Sequence, residues 1–187
     1  PSPPVILDFD GSVLPVAEGE RRIPLGSWQE AIRFGCTRRA FSALEAHLEG
    51  VLPVDCGCAF MGSGDFHHVT LIPLRRLCRR LPPASLDVVV FDNHPDNMRY
   101  PFGIHCGSWV SHAALLPSVR RTVAVTPWLS RIFWNRSIAA CELHFSPLSS
   151  TLFSGIILTC ACIPCSFFAS SSACSGASLT PSIIVYS

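Results

Sequence analysis

Leu86-Asp87-Val88-Val89-Val90-Phe91-Asp92-Asn93-His94-Pro95-Asp96 is the stretch that decides the fold. A short run rich in β-branched residues has the composition of a buried strand, and the polar residues after Phe91 mark its end. Open α/β sheets collect their chemistry at the carboxyl ends of strands, so Asp92, His94 and Asp96 fall where a site is expected. Two carboxylates and an imidazole suit a first-row divalent metal: the carboxylates supply charge, the imidazole a nitrogen donor of intermediate softness. The competing reading is a polar turn in which Asp92 or Asn93 caps a helix and His94 is merely solvated.

A second cluster lies upstream. Cys58-Ala59-Phe60-Met61 runs into Gly62-Ser63-Gly64-Asp65-Phe66-His67-His68, again an apolar strand feeding a glycine-bearing turn and then histidine. Leu71, Leu74, Leu77, Cys78 and Leu81 follow at helical spacing, so the spacing predicts a helix over 69–81 and one β-α-β unit joining the clusters. Both would then reach the same edge of one sheet.

Around this unit the chain alternates strand and helix. Strands are expected over 5–9, 58–61, 86–91 and 122–125. Ser27 should cap a short helix, with Glu30 closing a capping box. Thr37 should cap the next, whose Phe41, Leu44 and Leu48 form an apolar stripe ending at Gly50. A helix over 108–116 carries Trp109, read as a core residue. Such alternation predicts an α/β fold, a three-layer parallel sheet with helices on both faces. The arginine pairs Arg75-Arg76, Arg79-Arg80 and Arg120-Arg121 read as solvated helix faces and ends.

Gly62-Ser63-Gly64-Asp65-Phe66-His67-His68 followed by Phe91-Asp92-Asn93-His94-Pro95-Asp96-Asn97-Met98, with Leu7-Asp8-Phe9-Asp10-Gly11-Ser12 before them, resembles the arginase and agmatinase superfamily, the ureohydrolases. The likeness covers Pro4 to Val125 and is nearest to bacterial arginase-like proteins of uncharacterised substrate. It implies an arginase/deacetylase-like fold and a pair of manganese ions. The ligands it implies are His67 or His68, then Asp92, His94 and Asp96; the extra Phe66 leaves the choice of histidine open. Asp65 would orient a ligand histidine from behind. His105, in Gly103-Ile104-His105-Cys106-Gly107, stands roughly where arginases keep a proton-shuttling histidine, although a loop histidine without a role fits it as well. The chemistry implied is hydrolytic. Two divalent ions acidify a water between them and hold it beside a guanidino or amidino carbon, a poor electrophile whose departing amine also needs a proton.

The superfamily also uses a late Asp-x-Asp, and Asp96 is the last aspartate here. Asp8 and Asp10, two apart on a predicted strand and so on one face, could stand in for it. Otherwise the motif has been lost from this copy, and the tail favours that. From Leu143 to Ser187 there is no Asp, Glu, Lys or Arg, and no clear periodicity. Residues 1–142 are therefore read as a ureohydrolase-like domain incomplete at its C-terminus, and 143–187 as a Ser/Cys-rich tail, degenerate or out of frame. The apolar stretch 152–169 is a weak membrane span because cysteines, serines and Pro164 interrupt it. Cys160-x-Cys162-x-x-Cys165 lacks the matched pair of a zinc ribbon.

Asp8-Phe9-Asp10-Gly11-Ser12 supports a competitor. It resembles the nucleophile motif of the haloacid-dehalogenase phosphatases, with Asp8 as nucleophile, Asp10 as acid and base, magnesium bound by both and Ser63 on the phosphate. The chain has no lysine to neutralise a phosphoryl group, and that scheme gives His67, His68 and His94 no task. A non-catalytic metal-binding protein on the same fold is the third reading. Net charge of +1 leaves no nucleic-acid footprint, and 49% hydrophobic residues is ample for a core. Pro1-Ser2-Pro3-Pro4 leads straight into a strand with no signal peptide, which predicts a cytoplasmic protein acting on a small molecule. A sheet lacking its later strands would expose an apolar edge and favour homo-oligomers.

Overall fold

The computed structural model describes residues 3–53, 56–125, 157–159 and 182–186. Its strands are β1 Val5–Asp8, β2 Arg21–Pro24, β3 Gly35–Thr37, β4 Cys58–Phe60, β5 Leu86–Phe91, β6 Gly103–His105, β7 Val119–Val125, β8 Ile157–Thr159 and β9 Ser182–Tyr186. The α-helices are α1 Gln29–Ile32, α2 Arg38–Val51, α3 Leu71–Cys78 and α4 Trp109–Ala113.

The architecture is α/β. Seven strands form one sheet in the order β2-β1-β4-β8-β9-β5-β7, and every pairing in it is parallel. In β1 the successive residues Val5, Ile6 and Leu7 are all buried, so both faces of that strand are covered, as a parallel sheet requires. β3 and β6 form a small antiparallel ribbon. A Cβ at Gly103 would overlap the Cys36 carbonyl, so the close approach of these two strands needs glycine there.

Helix α2 follows its sequence pattern. Phe41, Leu44 and Leu48 are buried, and Thr37 Oγ1 accepts the Ala40 N–H at 3.2 Å. The helix passes through Gly50 and stops at Leu52, which is extended because Pro53 follows it. The expected Ser27 cap is absent: the chain enters α1 through a 3₁₀ turn, where the Leu25 carbonyl accepts the Trp28 N–H at 2.8 Å. The helix expected over 69–81 is divided into a 3₁₀ turn, Gly64–Thr70, and α3. That expected over 108–116 shortens to α4 behind a 3₁₀ turn, Cys106–Ser108.

The tail contributes two strands to the middle of the sheet. β8 pairs with β4, and β9 lies between β8 and β5, so the segment read as a degenerate or out-of-frame tail joins the two halves. A central strand pairs through its backbone at both edges, and the β-branched run Ile183-Ile184-Val185 has the composition of one. Within the stretch 152–169 considered as a membrane span, Ile157–Thr159 is strand. Cys160, Cys162 and Cys165 lie outside the described residues. Among the described residues no helix is long and apolar enough to cross a membrane.

The arginine pairs are not idle either. Arg75 and Arg79 reach Glu45 and Glu49, tying α3 to α2. Arg120 and Arg121 lie in strand β7 rather than a helix. The register shift between Leu86 and Asp87 lets both converge on Asp87, with N···O distances of 2.7–3.0 Å. Burial raises the Asp87 pKa, but the two guanidinium groups outweigh it and hold the carboxyl below its ordinary range. A carboxylate depressed in the folded state contributes stability above its unfolded pKa and loses it as pH falls through the folded value. Denaturant titrations at stepped pH should therefore show the native chain losing more stability than Asp87→Asn from about pH 5 downward. Equal acid slopes in the two chains would show that the cluster contributes nothing.

Candidate metal centre

Parallel strands end at the same edge, so the residues after β4 and after β5 share one rim of the sheet. β8 and β9 separate these strands, leaving three strand spacings, roughly 14 Å, between them. The turn Gly64–Thr70 and the loop after Phe91 close that gap. His67 Nε2 lies 3.0 Å from Asp96 Oδ2, and ligand atoms of His67, Asp92 and Asp96 all fall within 4.8 Å of one another. The two motifs thus meet at one edge, joined by the β4-α3-β5 crossover, with β8 and β9 lying between its two strands.

Each member is held by its surroundings. His67 Nδ1 is 2.6 Å from the Gly64 carbonyl and Nε2 3.1 Å from the Cys106 carbonyl; both carbonyls can only accept, and with the Nδ1 N–H donated to Gly64 it is Nε2 that can give up its proton to face a cation. Asp92 is 8% exposed and Asp96 5%. Asp96 has φ +47°, a left-handed conformation that Asp tolerates better than most residues. Asp92 Oδ1 accepts the His94 N–H at 3.0 Å, a local turn that leaves the His94 side chain 81% exposed.

The electrostatics are those of a proton held where a cation would go. Burial disfavours charge on His67, but Asp96, Asp92 and the Cys106 carbonyl outweigh it and raise its pKa. Burial raises the Asp96 carboxyl; the neighbouring Asp92 reinforces this and His67 opposes it. The donor set fits a divalent first-row ion: two carboxylates and an imidazole, with no thiolate among them. Three protein ligands also leave coordination positions for water or substrate.

The other expected residues go elsewhere. His68 is buried with Nδ1 3.2 Å from Cys106 Sγ, and its pKa is pushed down to about 3, chiefly by burial with help from His67. It is a neutral core histidine, so the histidine in the cluster is His67. Asp65 accepts from Arg33 Nε at 2.9 Å rather than touching a histidine; the Gly64 carbonyl holds the His67 ring instead. His105 Nδ1 accepts the Gly107 N–H at 3.0 Å, and its ring lies against Tyr100.

Asp8 and Asp10 are not among the converging donors. β1 ends at Asp8, so Asp10 lies in the following bend and the shared face of a strand does not extend to it. Asp8 accepts from Gly11 N and Arg22 Nη1. Asp10 accepts from Ser12 and from Ser63 N. Burial raises the Asp10 pKa, but these hydrogen bonds prevail and keep it below its ordinary value.

Trp109 does more than fill the core. It is fully buried, and its indole N–H donates to Asp96 Oδ2 at 3.0 Å. The one sequence signal for that bond was generic: a buried tryptophan needs an acceptor for its N–H.

Fold and site together give an α/β protein with a candidate metal-binding cluster of His67, Asp92 and Asp96 at the carboxyl edge of a parallel sheet. Comparison with known proteins finds a similar protein from Thermotoga maritima, itself described as uncharacterised, 37% identical over 78 residues. The match takes in 42% of this chain and 30% of that protein, so the chain spans less than a third of its relative. No protein-family model matches the chain, and no solved structure does.

Proposed function

We propose that the chain is a ureohydrolase-type hydrolase that cleaves a C–N bond of a small guanidino or amidino compound, uses manganese, and acts in the cytoplasm on an arginase-like three-layer fold. The convergence of His67, Asp92 and Asp96, brought from two separated strands to one buried spot, carries this reading. These three residues fit a first divalent ion. A second ion would be held by Asp92 and His94, whose Nδ1 is 3.9 Å from Asp92 Oδ1. Such ions, when bound, would supply Lewis acidity and lower the pKa of water toward neutrality.

The chain's own residues supply the rest. The Gly64 carbonyl fixes the His67 tautomer, and burial of Asp92 and Asp96 strengthens their attraction for a cation. The resemblance assigns protonation of a departing amine to His105, whose Nδ1 accepts the Gly107 N–H at 3.0 Å. The phosphatase reading gains no support from the geometry, since Gly11 and Arg22 engage the two Asp8 oxygens.

The test is metal analysis of the purified chain, followed by assays for urea or amine release from a panel of guanidino compounds after manganese reconstitution. Stoichiometric magnesium with phosphoester hydrolysis would overturn the proposal. Manganese without turnover on any panel member would make this a non-catalytic metal-binding protein. His94→Ala distinguishes the two ions: the tight ion should stay and the weaker one should go, as read by titration of free Mn²⁺ by electron paramagnetic resonance. Loss of the tight ion would place His94 in the first site, against the geometry.

A further inference from the structure

The first turn of α4 grips Asp96 at both ends. Trp109 Nε1 donates to Asp96 Oδ2 at 3.0 Å, and the Val110 N–H donates to the Asp96 backbone carbonyl at 3.2 Å. The same indole lies edge-on to His67, ring centroids 6.4 Å apart. One buried side chain therefore touches two of the three converging donors. The indole N–H can donate and never accept, so the Asp96 oxygen it meets is held as the acceptor of that bond. The bond also fixes rotation of the carboxylate about its last torsion, which is otherwise broad. Asp96 occupies a left-handed backbone conformation, and the two hydrogen bonds from α4 hold the residue there.

We propose that Trp109 is a positioning residue for the metal ligand Asp96, setting which carboxylate oxygen faces the ion. This inference rests on the metal-centre reading above. Trp109→Phe keeps an aromatic ring in the core and removes only the donor. Partners that orient metal ligands typically matter by 10- to 100-fold in affinity, so Mn²⁺ should bind the variant roughly 10- to 100-fold more weakly. Trp28→Phe, which alters a tryptophan packed against His47 and not against the centre, should bind as the native chain does. The visible absorption of Co²⁺-loaded protein should also change in Trp109→Phe, because a rotated carboxylate alters the ligand field. A purely structural tryptophan would lower thermal stability and leave both affinity and spectrum unmoved.

If Trp109→Phe does not fold, the native chain still answers. With ¹⁵N-labelled tryptophan, the Trp109 indole resonance, assigned by substituting the other tryptophans singly, should shift on stoichiometric addition of diamagnetic Zn²⁺. An unmoved resonance at saturating Zn²⁺ overturns the proposal. So does native-like Mn²⁺ affinity in a folded Trp109→Phe chain whose binding still depends on Asp92, and that result leaves the metal centre standing. No binding to the native chain overturns both.

Discussion

Asp92→Ala is expected to abolish stoichiometric Mn²⁺ binding while the chain still unfolds cooperatively. Asp92 stands at the first position beyond β5, where a side chain serves the site more than the sheet. Its removal leaves one imidazole and one carboxylate, too few ligands and too little charge to strip water from a divalent ion. It also removes the group shared between the two proposed ions, so both should be lost together. Asp92 is the better test than Asp96, since Asp96→Ala would also orphan the buried Trp109 N–H and so confuse site with stability. Electron paramagnetic resonance of added Mn²⁺ with a thermal melt of the same sample suffices. Unchanged metal content in Asp92→Ala would remove the basis of the proposed function.

Deleting residues 144–187 should have the larger effect, a loss of cooperative folding together with metal binding. The deletion removes β8 and β9, whose backbones bond to β4 on one side and β5 on the other. Without them, β2-β1-β4 and β5-β7 have no ladder in common, and buried N–H and C=O groups on the facing edges of β4 and β5 lose their partners. His67 comes from one part and Asp92 with Asp96 from the other, so their 4.8 Å grouping depends on strands far away in sequence. Far-ultraviolet circular dichroism through a denaturant series, with Mn²⁺ titration, gives both readouts. A truncated chain that melts cooperatively and binds the ion would show that the tail is dispensable, as its sequence first implied.

What the sequence revealed, and what it hid, divides along physical lines. β5 and α2 were legible because local pattern determines them: a β-branched run ending in acids, and an apolar stripe of Phe41, Leu44 and Leu48 after the Thr37 cap, with its end expected at Gly50 and found just beyond it. β2 was not, since Arg21-Arg22-Ile23-Pro24 has no apolar run; as an edge strand it tolerates both its charges and its proline. β8 and β9 were hidden for the opposite reason. Their uncharged surroundings carry no alternation, and a short apolar run in a buried strand cannot be told from a degenerate tail by periodicity. Around the site, motif spacing found His67, Asp92 and Asp96, but it could not separate His67 from His68. That choice depends on Cys106, which fills the space beside His68 and comes from a different loop. The bond from Trp109 to Asp96 was equally out of reach, because no local pattern brings α4 to the loop after β5.

A strand order in which the chain's latest segments lie centrally has a consequence for biosynthesis. The ribosome delivers β4 and β5 well before β8 and β9, and during that interval two unpaired strand edges have only each other, or another nascent chain, to pair with. Pairing β4 directly to β5 would be the quicker closure, because loop-closure entropy favours the nearer partner. That closure would also be a trap, for it must reopen to admit two more strands. Folding should accordingly be slow and sensitive to protein concentration, with refolding yield falling as concentration rises.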